Sequence, residues 1–185
     1  LSTANVVDAY VRPSCEERDE AFAITHVPAS GLSYPTHFVS HAWGNSFVDL
    51  VATLEDYFLG AAADDVYVWL DIFAVNQKAG RAMHDLENGA ALAEVIDKSV
   101  ACLVVLDRGM LPLTRLWCLF EVGSTPTEKL QLLIPPGMGD GEVVDAARRV
   151  DVDEALCFSP ADREMIYAGI EEKFGSNKEL TERLQ

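Results

Sequence analysis

One carboxylate stands among apolar neighbours. Glu121 lies in the stretch LWCLFEV, residues 116 to 122, four positions after Trp117, so in a helix the two share a face about one turn apart. Leu116, Leu119, Phe120 and Gly123 take the sides that pack on a sheet. A helix this apolar holds a Glu beside a Trp for one of two reasons. Either that face lines a cleft, where a carboxylate drawn out of water is a candidate for chemistry, or the Glu is half of a structural ion pair with Arg115, Arg108 or Lys98. Three further polar residues, Ser40, Asp71 and Asp107, each fall near the carboxyl end of an apolar run. Ser40 and Asp71 there either reach a ligand or cap backbone groups at strand ends.

The runs that would position these residues read as strands at 36–40, 66–72, 101–106 and 129–134, with a weaker fifth candidate in LCFS, residues 156 to 159. Between them lie helical patterns. Phe47, Leu50, Val51, Leu54, Tyr57 and Phe58 recur at spacings of three and four after Ser46, a suitable N-cap. A second helix covers 90–98 and a third carries Leu116 to Val122, with Thr114 as its cap. Glu142 to Arg149 form a further helix. Ser159-Pro160 open another that Gly175 ends, and Asn177 caps a last one. Strands alternating with helices predict a parallel sheet wrapped on both faces, in which ligands bind outside the carboxyl ends of the strands. Ser40, Asp71, Asp107 and Glu121 converge on that edge. Ahead of the sheet, residues 3–12 form a short amphipathic helix ended by Pro13, the acidic run 16–20 is a solvated face, and 21–35 is a linker or strap. The domain organisation is thus an N-terminal extension, 1–35, packed on an α/β domain, 36–185.

At 185 residues and 49% hydrophobic content the chain supports one α/β domain. It begins at Leu1 without Met, as a piece of a longer protein would. A net charge of −16 argues against nucleic acid and anionic membrane as partners, because phosphate binding needs Lys and Arg. No apolar run approaches a membrane span. Cys15, Cys102, Cys118 and Cys157 show no metal or disulfide spacing, which fits a reduced, cytoplasmic protein, and the scattered histidines suggest no metal site. No phosphate-loop, dinucleotide-fingerprint, zinc-protease or nucleophile-elbow motif is present.

Three segments in order resemble the Toll/interleukin-1 receptor (TIR) domain family. HFVSHAW is similar to the family's first-strand motif, and WLDIFAVNQ to its second strand running into the loop that mediates many assemblies. IDKSVACLVVLDRGMLPLTRLWCLFEV is similar to the stretch in which an Ile-x-x-Ser helix end precedes the third strand and a Trp-Cys-x-x-Glu helix follows. The likeness covers about residues 36 to 135. It implies a flavodoxin-like three-layer fold with a central parallel sheet of four to five strands. In catalytic members it also implies hydrolysis of NAD at the nicotinamide-ribose bond, with Glu121 at the essential position, NAD as substrate and no cofactor. After Ser40 the chain reads His41-Ala42-Trp43-Gly44, where many members carry basic residues.

Cleavage of that bond builds positive charge on the ribose, because the leaving group is a neutral pyridine. A fixed carboxylate stabilises it, as in other glycosidic chemistry. In this reading Glu121 is catalytic and Ser40, His41, Trp43, Asp71 and Trp117 bind substrate, the tryptophans as flat walls unless Trp117 simply packs in the core. Self-association through the loop of residues 73–89 is expected to accompany the activity. Two alternatives stand beside it. One is a non-catalytic self-association module, the other a nucleoside glycosyl transferase-like enzyme.

Overall fold

Ala101–Val105 is an unbroken apolar run, and all five residues are buried. Such a run is stable only with both faces covered, so it becomes an inner strand, β3, flanked by β1 (His37–Ser40) and β4 (Leu130–Leu133). β2 (Val68–Leu70) pairs with the other side of β1. The computed structural model describes residues 1–62, 65–78 and 90–185. Within them the sheet is four-stranded, all parallel, in the order β2-β1-β3-β4. That is the flavodoxin-like order, whose switch point, the crevice where strand order reverses, lies between β1 and β3. Val39 pairs with Leu70 on one side and Leu103 on the other, and Ser40 with Val104.

Alternation along β1 sorts its side chains between two layers. Phe38 joins a cluster with Leu116, Leu119, Ile166, Ile170 and Leu180, and Val39 joins one with Val7, Leu50, Leu70 and Ile72. Helices α1 (Thr3–Val6), α2 (Arg12–Arg18), α3 (Phe22–His26), α4 (Phe47–Tyr57) and α5 (Asp71–Ala74) come first in the chain, and the layer around Phe38 is built from the helices that follow them. They are α6 (Ala90–Lys98), α7 (Leu116–Ser124), α8 (Asp140–Ala147), α9 (Pro160–Phe174) and α10 (Asn177–Leu184). The second layer holds α4 and the N-terminal helices. None of the described helices is long and apolar enough to cross a membrane.

Several sequence expectations change on contact with the coordinates. Pro13 does not end the first helix. A π turn, Val7–Val11, follows α1, with the Arg12 N–H reaching back to the Val7 carbonyl, and the chain passes Pro13 into α2. Residues 156–159 form no strand; Leu156 makes only an isolated bridge to Arg115. The second strand stops at Leu70, because Asp71 already opens the short helix α5. Thr114 caps nothing, since its hydroxyl donates to Leu111 O inside a 3-10 turn, Leu111–Thr114, and Arg115 precedes α7. Ser176, not Asn177, caps α10. Ser46 and Ser159 do cap α4 and α9, with Pro160 in the first turn and Gly175 at φ +89° past the end.

Candidate functional site

The switch point is occupied by a compact group of polar side chains. Ser40 ends β1 on the same side of the strand as Phe38, facing α7, and its hydroxyl donates to Glu121 Oε2 at 2.5 Å. Both groups are buried, Ser40 completely and Glu121 to 8% exposure. α7 is locked at this position by its own backbone: Leu116 N–H donates to Leu156 O, and Thr125 Oγ1 returns a bond to Glu121 O at 2.8 Å. One turn from Glu121, the Cys118 thiol donates to His41 O at 3.4 Å, which ties α7 to the end of β1.

A second trio lies beside the first. Asp71 Oδ2 accepts from Trp43 Nε1 at 2.7 Å, and Oδ1 accepts from the Ile72 amide at 2.7 Å. Gln77 Nε2 donates to Asp71 O. His41 Nδ1 stands 3.8 Å from Asp71 Oδ1, while the buried Nε2 has no hydrogen-bond partner. The half-buried Trp43 is held in turn by the N-terminal segment, whose Ala4 amide donates to Trp43 O.

Electrostatics follow from burial. Removal from water pushes the Glu121 carboxyl up to about 8; the Ser40 hydrogen bond opposes that rise and the negative Asp71 adds to it. Glu121 therefore carries its proton near neutrality, and a positive charge placed beside it would favour the ionised form. Burial lowers the pKa of His41, with Asp71 acting the other way, so the imidazole is held neutral. Burial also holds the Cys118 thiol well above its usual range, which makes it a packing and hydrogen-bonding group rather than a thiolate.

The structure thus brings Ser40 together with Glu121, and His41 and Trp43 together with Asp71. Trp117 behaves differently: it is half-buried and packs against the apolar cluster of the α7 layer. Asp71 caps a backbone amide, as one of its two sequence readings has it, and also holds Trp43. None of the three cations named for an ion pair with Glu121, Arg115, Arg108 and Lys98, makes one. Lys98 bonds Glu94 at 2.5 Å, Arg108 donates to Pro136 O, and no cation pairs with Glu121 among the described residues. Asp107 does not join the site either; its carboxylate accepts from the Gly109 and Leu111 amides and shapes the loop after β3. Sequence reasoning gave no site role to Cys118, although it is the Cys of the Trp-Cys-x-x-Glu run, nor to Thr125, which carries no signal beyond following the Glu121 helix.

Ser40, His41 and Glu121 are buried in this group, while Asp71 and Trp43 stay partly exposed. An apolar cavity of about 370 Å³ lies elsewhere, between α4 and β2, lined by residues such as Leu54, Phe58, Val68 and Phe73. Of the loop 73–89, residues 73–78 are described and 79–89 lie outside the described residues. Comparison of the chain with protein-family models, curated proteins and solved structures finds no match in any of the three.

Proposed function

We propose that this chain cleaves NAD at the nicotinamide-ribose bond, with Glu121 as the catalytic carboxylate. The observation that carries the reading is a buried glutamate, bonded to Ser40 and with no cation partner among the described residues, at the switch point of a flavodoxin-like sheet. A structural carboxylate in such a place would be expected to have a basic partner, and this one has a hydroxyl. The resemblance of the surrounding segments to TIR domains points the same way.

In mechanism, Glu121 is set to respond to positive charge. The nicotinamide-ribose unit of NAD is cationic at its ring nitrogen, and bond cleavage moves that charge onto the ribose. A cation beside Glu121 favours the ionised carboxylate against burial, so binding and deprotonation are linked. The Ser40 hydroxyl, already aimed at Oε2, holds the carboxylate in one orientation as it ionises. Trp43, fixed through Asp71, offers a flat wall at the outer rim. Trp117, packed in the α7 layer, is left as a core residue. The test is incubation with NAD, scored for nicotinamide release and for the form of the ADP-ribose product, with the Glu121→Gln variant alongside.

One observation favours a second reading, a non-catalytic module that self-associates. Glu121 and His41 are both buried, at 8% and 6% exposure. On that reading the polar group is an internal bracing network, and NAD is left intact at every protein concentration.

A further inference from the structure

Two loops meet above the Ser40–Glu121 pair, and their contact has a defined shape. The loop after β1 contains Gly44, and the loop after β3 contains Leu111. A Cβ placed on Gly44 would lie 2.7 Å from Leu111 Cδ2, so the leucine side chain rests directly on the glycine backbone. The two loops leave the carboxyl ends of adjacent strands, β1 and β3, and therefore flank the switch-point crevice. Anything entering between them must part Leu111 from Gly44.

The loop carrying Leu111 is set like a sprung arm. Asp107 grips it at one end, accepting from Gly109 N at 2.9 Å and Leu111 N at 2.7 Å. Met110, immediately before the leucine, sits at φ +53°, a left-handed conformation that L side chains other than Asn and Asp adopt at a cost. The same end of the sheet holds a completely buried serine, a glutamate without a cation among the described residues and an imidazole nitrogen without a hydrogen-bond partner among them. Polar groups sealed in this condition are satisfied better once a ligand or water reaches them.

We propose that Leu111 is a latch seated on Gly44, and that the loop from Asp107 to Thr114 opens by local motion to admit ligand to Ser40 and Glu121. The proposal concerns access and holds whether or not the ligand is NAD. The Cys118 thiol, bonded to His41 O on the inner side of the contact, reports on it. Cys102, buried in β3, reports on global opening, and Cys15, whose cluster includes Phe47 just past the loop after β1, reports on release of the N-terminal helices.

The experiment labels the folded chain with iodoacetamide in a Cys157→Ser background, which removes the partly exposed thiol, and maps each site by peptide mass. Leu111 is half-buried and Gly44 is exposed, so neither substitution empties the core. Cys118 is expected to label faster than Cys15 and Cys102 in the parent. Leu111→Ala should raise the Cys118 rate about five- to thirtyfold while leaving the other two unchanged. Gly44→Ala, whose methyl displaces the leucine, should raise it as well, and should lose most of that effect when Leu111 is already Ala. Labelling of Cys118 in step with Cys15 and Cys102 in the parent and both variants overturns the latch. So does a Gly44→Ala effect of the same size with and without the leucine.

Discussion

Ser40 and Glu121 are separated by 81 positions of chain and joined by a single buried hydrogen bond of 2.5 Å, hydroxyl to carboxyl. The bond spans from the end of the first strand to the middle of the helix after the third, and it favours the ionised state of Glu121 against burial. Ser40→Ala removes it without changing the fold's apolar contacts. The carboxyl should then move further up, and stability should fall by about 1–3 kcal/mol for a buried acceptor left unpaired. Melting at pH 6 and at pH 9 checks this, because the loss must be greater where Glu121 is ionised. An equal loss at both values would show that Ser40 does not act through the carboxylate.

Glu121→Gln separates catalysis from bracing. Gln is nearly isosteric and still accepts from Ser40, so the fold should persist. Nicotinamide release should fall by ~10²–10³, or roughly 3–4 kcal/mol, as for loss of one well-aimed electrostatic stabiliser. Unchanged release from NAD ends the catalytic assignment.

Stability should depend on pH in two opposed ways. The folded carboxyl of Glu121, at about 8, binds its proton more tightly than in the unfolded chain, where the usual value is 4.5. Between those values the unfolded state carries fewer protons, so this group destabilises the fold progressively as pH rises, by about 5 kcal/mol at the very most. His41 is depressed below 6.5, so its contribution is lost as pH falls through and below that value. Melting across pH 4 to 9 should therefore show a decline that begins above about 4.5 and levels off past about 8, and that Glu121→Gln flattens. A variant that declines as steeply as the parent would assign the slope to other groups.

Gly123 is where the last helix docks on α7. A Cβ there would lie 2.2 Å from Leu180 Cδ1, and Leu180 is fully buried. Gly123→Ala should cost about 1–3 kcal/mol through overpacking, and pairing it with Leu180→Ala should recover part of that loss. Equilibrium unfolding in urea measures both; simple additivity of the two changes would mean that the helices do not meet at this point.

The parallel sheet and its strand centres were legible because β3 and its neighbours are continuous apolar runs, which periodicity reads directly. The convergence of Ser40, Asp71 and Glu121 was legible for the same reason, since strand ends in such a sheet share an edge. Pro13 misled because a local rule about proline met a π turn that only tertiary packing of Val7 and Val11 makes worthwhile. LCFS misled because an apolar tetrapeptide looks alike whether it pairs along a strand or, as Leu156 does, through one bridge to a neighbouring turn. The Gly44–Leu111 contact had no signature, as it depends on how two loops distant in sequence are brought face to face.

The bonds that hold residues 1–4 against the loop after β1 bear on how this chain can be cut. Thr3 and Ala4 donate to Asn45 O and Trp43 O, Phe47 donates to Leu1 O, and Val7 lies in the same buried cluster as Val39, Leu70 and Ile72. A fragment started at residue 36, where composition first suggests a boundary, would expose that cluster to water and release the loop that carries Trp43. Removing a flank here is removing part of one wall.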